Sequence, residues 1–348
     1  MKINIGIIGV GDVTINRHIP SIVELSDADA KIHALADIIP GRARQIADKY
    51  GIPVATEDYR DLLNNDVINA IAINTRIDSH KQLTIEALEA GKHVYLEKPA
   101  TVNAQEMEDI MKAARGRDNL LLAGSNGLLQ AQMLMFKDII DSGGIGEMFM
   151  VSVERAAARR GGEAPAPVVG RESGISKHSA SHNIEWALYF LGDPKPALVM
   201  AKGYYRHGSV SQPQPRPDET DEFCIATVLF DNGTSFCYKA LRDAAAGEEY
   251  VLNLYGDMGT IEYDVHRCYK QKSDDCIKIY RDIPGVGVQA EHPIMETGKT
   301  HAHMYRHFFD CIRSGKRPIS DGERALVVMR ILDAIELSIK QGGRQVHL

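Results

Sequence analysis

The sequence predicts two domains in succession: a parallel α/β domain whose sheet is covered on both faces, then an α+β domain on a mostly antiparallel sheet. Three observations carry this reading. Over the first 125 residues short β-branched runs alternate with longer amphipathic stretches. A glycine turn joins the first run to the first of those stretches. Past residue 124 the helical stretches thin out and strands follow one another.

The first-domain strands are read at Ile3–Ile8, Lys31–Ala36, Ile68–Ile73, His93–Leu96 and Leu120–Ala123, with helices at Thr14–Leu25, Gly41–Tyr50, Ser79–Ala90 and Ala104–Ala114. Nearly continuous apolar strands alternating with helices imply parallel strands buried on both sides, joined by right-handed crossovers. A helix over Gln130–Asp141 follows from Met133, Phe136 and Ile140 at three-to-four-residue spacing, and Gly143-Gly144 stops it. Strands are then expected at Met148–Arg155, Ala197–Arg206, Phe223–Phe230, Thr234–Leu241, Tyr250–Tyr255 and Cys276–Tyr280. Asp231-Asn232-Gly233 marks a hairpin between two of them. The helices His303–Arg313 and Gly322–Lys340 are the last elements expected. Ala156–Gly170 and Ser209–Asp221, rich in Ala, Gly and Pro or in Pro, Ser and Gln, read as specificity loops.

A length of 348 residues suggests two domains at roughly 150 residues each. A hydrophobic share of 44% and a charged share of 25% are ordinary for a soluble globular chain. The net charge of −7 gives no electrostatic case for nucleic acid or a membrane surface as partner. The five cysteines, odd in number and never spaced C-x-x-C, argue against a disulfide framework or zinc knuckle. The N-terminal apolar run is too short to span a membrane, so the expectation is a cytoplasmic protein.

Gly9-Val10-Gly11-Asp12-Val13-Thr14 stands where a G-x-G-x-x-G dinucleotide loop would stand, after a strand and before a helix. Gly9 permits the tight turn and Gly11 lets the main chain approach a pyrophosphate at the helix N-terminus. Thr14 replaces the third glycine. Asp37 ends the second strand, 28 positions beyond Gly9, where a carboxylate accepts ribose hydroxyls and repels a 2′-phosphate. The acid favours NAD over NADP.

Gly91-Lys92-His93-Val94-Tyr95-Leu96-Glu97-Lys98-Pro99 resembles the G-K-H-V-x-x-E-K-P signature of the glucose-fructose oxidoreductase, inositol dehydrogenase and rhizopine-catabolism (Gfo/Idh/MocA) family. The resemblance runs on through Asp66–Thr75, His80, the helix ending Ala87-Leu88-Glu89-Ala90-Gly91, Ser142–Glu147 and His182-Asn183-Ile184-Glu185-Trp186. It implies an NAD(P)-binding Rossmann domain with a parallel doubly wound sheet over 1–124. A substrate-binding and oligomerisation domain on a large open, mostly antiparallel sheet would cover 125–348. It also implies a homodimer or homotetramer and hydride transfer at a carbinol carbon of a sugar, cyclitol or sugar-acid-like substrate.

Oxidising a secondary alcohol needs a base for the hydroxyl proton and a cation for the developing oxyanion. Lys98, held extended by Pro99, fits the cation, and His182 fits the base. The family usually has an aspartate four residues before that histidine; here the position holds His178, which leaves open which imidazole acts. The expected coenzyme contacts are Gly9, Gly11, Asp12, Val13, Asp37, Thr75, His80, Glu97 and Lys98. The expected substrate contacts are Lys98, Asn126, Arg171, His178 and His182. Leu128 and Leu129 stand where relatives often carry an arginine, and Thr75-Arg76 replaces a frequent Thr-Pro pair. His178 and His182, at i and i+4, offer two metal ligands without an obvious third, so no metal is assigned. His18, His301 and His303 read as structural or exposed. Two other readings stand beside the dehydrogenase: an NAD-binding regulator without catalysis, and an NAD-assisted glycoside hydrolase or lyase.

Overall fold

The computed structural model describes residues 2–25, 30–124, 127–158, 180–205, 221–244, 247–271, 275–295 and 300–348. The chain divides into two compact units, one of residues 1–130 and 299–329, the other of 131–298 and 330–348.

The first unit holds six strands: β1 (Ile3–Ile8), β2 (Ala30–Ala36), β3 (Val54–Thr56), β4 (Ala70–Ile73), β5 (His93–Leu96) and β6 (Leu121–Ala123). All pair in parallel, in the order β3-β2-β1-β4-β5-β6. The chain order reverses between β1 and β4, which makes the carboxyl ends of those strands the place for a ligand. Strand β4 is buried at every residue, as a sheet covered on both faces requires. Strand β3 was not among the strands read from sequence, because three half-buried residues carry too short a pattern.

The helices of this unit are α1 (Ile19–Glu24), α2 (Arg42–Tyr50), α3 (Arg60–Leu63), α4 (Ile77–Glu89) and α5 (Ala104–Ala114). The helix expected over Thr14–Leu25 opens as a π-turn, Thr14–His18, before α1. Pro20 lies at its second position, and without an N–H it cannot bond back to the preceding turn. The wider turn accommodates it and leaves Thr14 and His18 buried.

The second unit carries α6 (Ala131–Asp141), β7 (Met148–Ala158), α7 (Ala180–Leu191), β8 (Pro196–Tyr204), β9 (Phe223–Phe230), β10 (Ser235–Ala244), β11 (Glu249–Gly256), β12 (Gly259–Asp264), β13 (Ile277–Ile283) and β14 (Gly287–Glu291). With β15 (Val346–His347) these strands form one sheet in the order β14-β13-β12-β11-β7-β10-β9-β8-β15. Its pairs are antiparallel except β7 with β10. The Asp231-Asn232-Gly233 hairpin joins β9 to β10 as expected. Strands β12, β14 and β15 were not anticipated; β14 is exposed at every residue and so has no apolar alternation to read.

Helix α7 packs its apolar residues over β7 and β10, with Trp186 stacked on Tyr250. The outward face of the sheet presents Phe149, Met200, Ile225 and Leu229, each between 41% and 47% exposed.

The last helices, α8 (Thr300–Ser314) and α9 (Gly322–Lys340), do not both close the second unit. Residues 299–329 pack with the first unit. The reason is the stripe Met304, Tyr305, Phe308, Phe309 and Ile312 on α8. At helical spacing it makes one apolar face, and that face joins Ile3, Ile5, Ile7, Ile19 and Tyr95 in the core of the first unit.

Candidate functional site

The glycine loop leaves β1 at the switch point. Gly9 has φ +91°, and a Cβ there would lie 2.7 Å from the Asn74 carbonyl oxygen and 2.9 Å from Thr75 Cγ2. Only glycine fits between the β1 and β4 ends. Beside Gly11 there is open space, with no heavy atom within 4 Å of a Cβ position. Thr14, which stands in for the third glycine, donates its hydroxyl to the Gly9 carbonyl at 2.8 Å and closes the loop. Asp12 and Val13 follow on the outside, and Val13 is exposed.

Asp37 lies at the end of β2 and is buried, with its carboxylate turned into the loop. One oxygen accepts the Val10 N–H at 2.8 Å and the other the Ile39 N–H at 2.9 Å, while Arg42 stands 3.7 Å away. Each carboxylate oxygen keeps a lone pair for a further donor. Beside it Ile38 is 85% exposed and Ile39 is partly exposed, an apolar pair that the sequence reading passed over. The signal was two bulky apolar residues in a turn between an acid and a helix.

Two expected coenzyme contacts have their polar atoms turned inward. His80 of α4 is buried; its Nδ1 lies 3.1 Å from the Pro99 carbonyl oxygen and 3.2 Å from that of Ala100, and its Nε2 3.2 Å from that of Thr75. Burial lowers its pKa. The ring thus ties the loop after β4 to the loop after β5. Thr75 also shares a 2.7 Å hydroxyl contact with Ser79.

Glu97 is buried just past β5. One carboxylate oxygen accepts the Lys98 main-chain N–H at 2.7 Å, and the other lies 3.1 Å from His18 Nε2 and 3.8 Å from His301 Nε2. Burial by itself would raise its pKa, yet the two imidazoles hold it well below the usual carboxylate range. His18, fully buried, is pushed down by desolvation. Its Nδ1 lies 2.8 Å from the Tyr305 hydroxyl. His18 and His301, expected to be structural or exposed, therefore meet the signature glutamate. Nothing in the sequence marks residues 18, 97 and 301 as neighbours; the apolar stripe of α8 is the only signal that could have placed His301 here.

Lys98 follows Glu97, half-buried, and its peptide bond to Pro99 is cis. In the second unit His182 sits half-buried in the first turn of α7. Next to it Asn183 accepts the Tyr250 hydroxyl hydrogen at 2.7 Å. Asn126, Arg171 and His178 lie outside the described residues.

Comparison with known proteins places the two halves of the chain in one family. Residues 3–125 match the model of an oxidoreductase family with an NAD-binding Rossmann fold, and residues 137–348 match the C-terminal alpha/beta domain of that family. An inositol 2-dehydrogenase from Rhizobium meliloti is 29% identical over 268 residues, 77% of each chain. A myo-inositol 2-dehydrogenase from Thermotoga maritima is 23% identical over 262 residues, 75% of each chain. Among solved structures, levoglucosan dehydrogenase in complex with NADH and levoglucosan superimposes with a TM-score of 0.85 at 20% identity, covering 100% of this chain and 99% of that one.

A parallel sheet of this order, with its glycine loop and terminal acid, defines a nicotinamide-dependent oxidoreductase. The chain belongs to the Gfo/Idh/MocA oxidoreductase family.

Proposed function

We propose that the protein is an NAD-dependent dehydrogenase or reductase acting on a carbinol carbon of a sugar, cyclitol or sugar-acid-like substrate. The observation that carries the reading is the convergence of Gly9, Gly11 and Asp37 with Glu97-Lys98 at the carboxyl edge of one parallel sheet. Relatives named as inositol dehydrogenases support the cyclitol-like substrate class.

The coenzyme, when bound, accepts or returns the hydride. Gly9, Gly11, Asp12 and Val13 take its pyrophosphate and Asp37 its adenosine ribose, while Ile38 and Ile39 offer the adenine an apolar surface. Thr75 borders the nicotinamide half. His80 and Glu97 serve the coenzyme pocket by holding the loops that form it. Asp37 favours NAD, because a 2′-phosphate would meet its charge. Lys98 donates to the reacting oxygen and stabilises charge developing there. His182, with His178 four positions before it in the sequence, exchanges the hydroxyl proton; Asn126 and Arg171 contact substrate.

The five free cysteines suit a reducing compartment, which supports placement in the cytoplasm. No helix among the described residues is long and apolar enough to cross a membrane. The exposed apolar row on the second sheet supports a homodimer or homotetramer.

The experiment is turnover of NAD and NADP against sugars, cyclitols and sugar acids. On the active substrate Lys98→Ala is expected to lower kcat/KM at least ~100-fold with coenzyme binding retained. Unchanged turnover in that variant would remove Lys98 from the reaction.

A further inference from the structure

We propose that His18 and His301 are positioning residues for Lys98: they hold the Glu97 carboxylate as the anion that grips the Lys98 main chain. The inference rests on the reading of Lys98 as the group at the reacting oxygen.

Hydrogen-bond directions carry the argument. Desolvation lowers the His18 pKa and so favours the neutral ring, which has one N–H. Its Nε2 faces the Glu97 carboxylate at 3.1 Å, and its Nδ1 faces the Tyr305 hydroxyl at 2.8 Å. A carboxylate can only accept, so the proton is on Nε2 and the Tyr305 O–H donates to Nδ1. The other tautomer would set a lone pair against an anion. The chain then runs from Tyr305 to His18 to Glu97, with the Lys98 N–H entering from the opposite side at 2.7 Å. His301 Nε2, from the first turn of α8, stands 3.8 Å from the same Glu97 oxygen and with His18 favours the charged carboxylate. The ring of His18 is wedged edge-on among Tyr95, His301 and Tyr305, so the line cannot swing.

The ionisable groups around Glu97 are His18 from the π-turn, His301 and Tyr305 from α8, His80 from α4, and Lys98 itself. The three ligand atoms of His18, Glu97 and His301 lie within 4.8 Å of one another, a spacing that a divalent ion could also bridge. Glu97 already accepts the Lys98 N–H at 2.7 Å and faces His18 Nε2 at 3.1 Å, and the proposal is built on these contacts.

The consequence is functional because of where the chain ends are. His18 belongs to the turn that follows the glycine loop, and Glu97 precedes Lys98. The cluster fixes the exit of Lys98 from β5 relative to the pyrophosphate loop. Loss of a donor to Glu97 makes the carboxylate easier to protonate, and a neutral carboxyl is a weaker acceptor for the Lys98 N–H.

The test compares His301→Phe, which removes the donor, with His301→Gln, which keeps an N–H of similar reach. Tyr305→Phe removes only the hydroxyl behind His18. Lys98 is read directly by reductive ¹³C-methylation and NMR titration, its resonance identified by loss in Lys98→Arg. Expected are a shifted Lys98 titration, a kcat down ~10-fold with coenzyme KM unchanged, and an acid limb of the pH profile moved to higher pH. The Gln variant should restore all three. Tyr305→Phe should move them the same way by less, and it keeps the test standing if His301→Phe does not fold. A folded His301→Phe or Tyr305→Phe protein with wild-type titration, kcat and pH profile overturns the proposal. A wild-type protein that turns over no carbinol substrate instead defeats the dehydrogenase reading, and the Lys98 titration still decides the positioning role.

Discussion

Asp37 does two jobs with one carboxylate. It accepts two main-chain N–H groups, from Val10 in the glycine loop and Ile39 beyond it, and it stands where a ribose would need an acceptor. Removing it therefore touches both stability and binding. Asp37→Ala leaves the buried Val10 N–H without a partner, a loss of about 1–3 kcal/mol. The expected outcome is a lower unfolding midpoint together with weaker NAD binding and a smaller NAD-over-NADP preference, read by denaturant titration and calorimetry. An unaltered coenzyme preference would confine Asp37 to holding the loop. The signature motif divides in a similar way. Lys92 donates its ammonium to the Asn65 and Ile68 carbonyl oxygens at 3.0 and 2.8 Å, and His93 accepts the Leu120 N–H at 3.0 Å. Those two motif residues build framework, Glu97 holds the Lys98 main chain, and Lys98 is the residue proposed for the chemistry.

Among the elements, β8 and β9 carry the clearest unexplained surface. Along β9 the inward residues Cys224, Ala226, Val228 and Phe230 are buried, while Ile225 and Leu229 on the alternate face stay 41% and 44% exposed. Met200 of β8 continues that face. Scattered apolar residues on a surface are ordinary, but an aligned row on an open sheet is a patch suited to a second copy. In a two-fold pairing the row meets itself, so one added charge per chain becomes a like-charge pair. The wild-type protein is expected to sediment as a multiple of the 38.4 kDa chain, and Leu229→Lys to move it toward the monomer without loss of melting temperature. A wild-type protein that is monomeric at assay concentration would count against this face. Helix α8 shows the opposite outcome for an apolar stripe: its Phe308 and Phe309 are buried, and they carry His301 to the glutamate.

At the scale of the whole molecule, the buried histidines set how stability depends on pH. Burial lowers the pKa of His18, His80, His93 and His307. In the unfolded chain each titrates near 6.5, so below that pH the unfolded state binds more protons and folding is penalised. Glu97 is buried, but its imidazole donors keep its pKa well below 4.5, so it adds a second loss as the pH falls below its unfolded value. The melting temperature should thus hold between pH 7 and 8, fall from pH 7 to 5, and fall further toward pH 4. Thermal melts across that range check this, and a rise in melting temperature toward pH 5 would contradict it.

What the residues determined alone was local and periodic. Nearly continuous apolar runs at Ile3–Ile8 and Ile68–Ile73, a glycine turn before a helix, an acid at a strand end and a nine-residue motif identify the parallel sheet, its coenzyme loop and its lysine. Each depends on contacts between near neighbours or on strand burial, and those leave a pattern in the chain. Tertiary structure decided what depends on distant meetings: that residues 299–329 join the first unit, and that His18 and His301 converge on Glu97. A buried carboxylate can be balanced by any donor that packing brings within about 3 Å. Packing of one apolar stripe, just over two hundred residues beyond Glu97, brought His301 alongside His18.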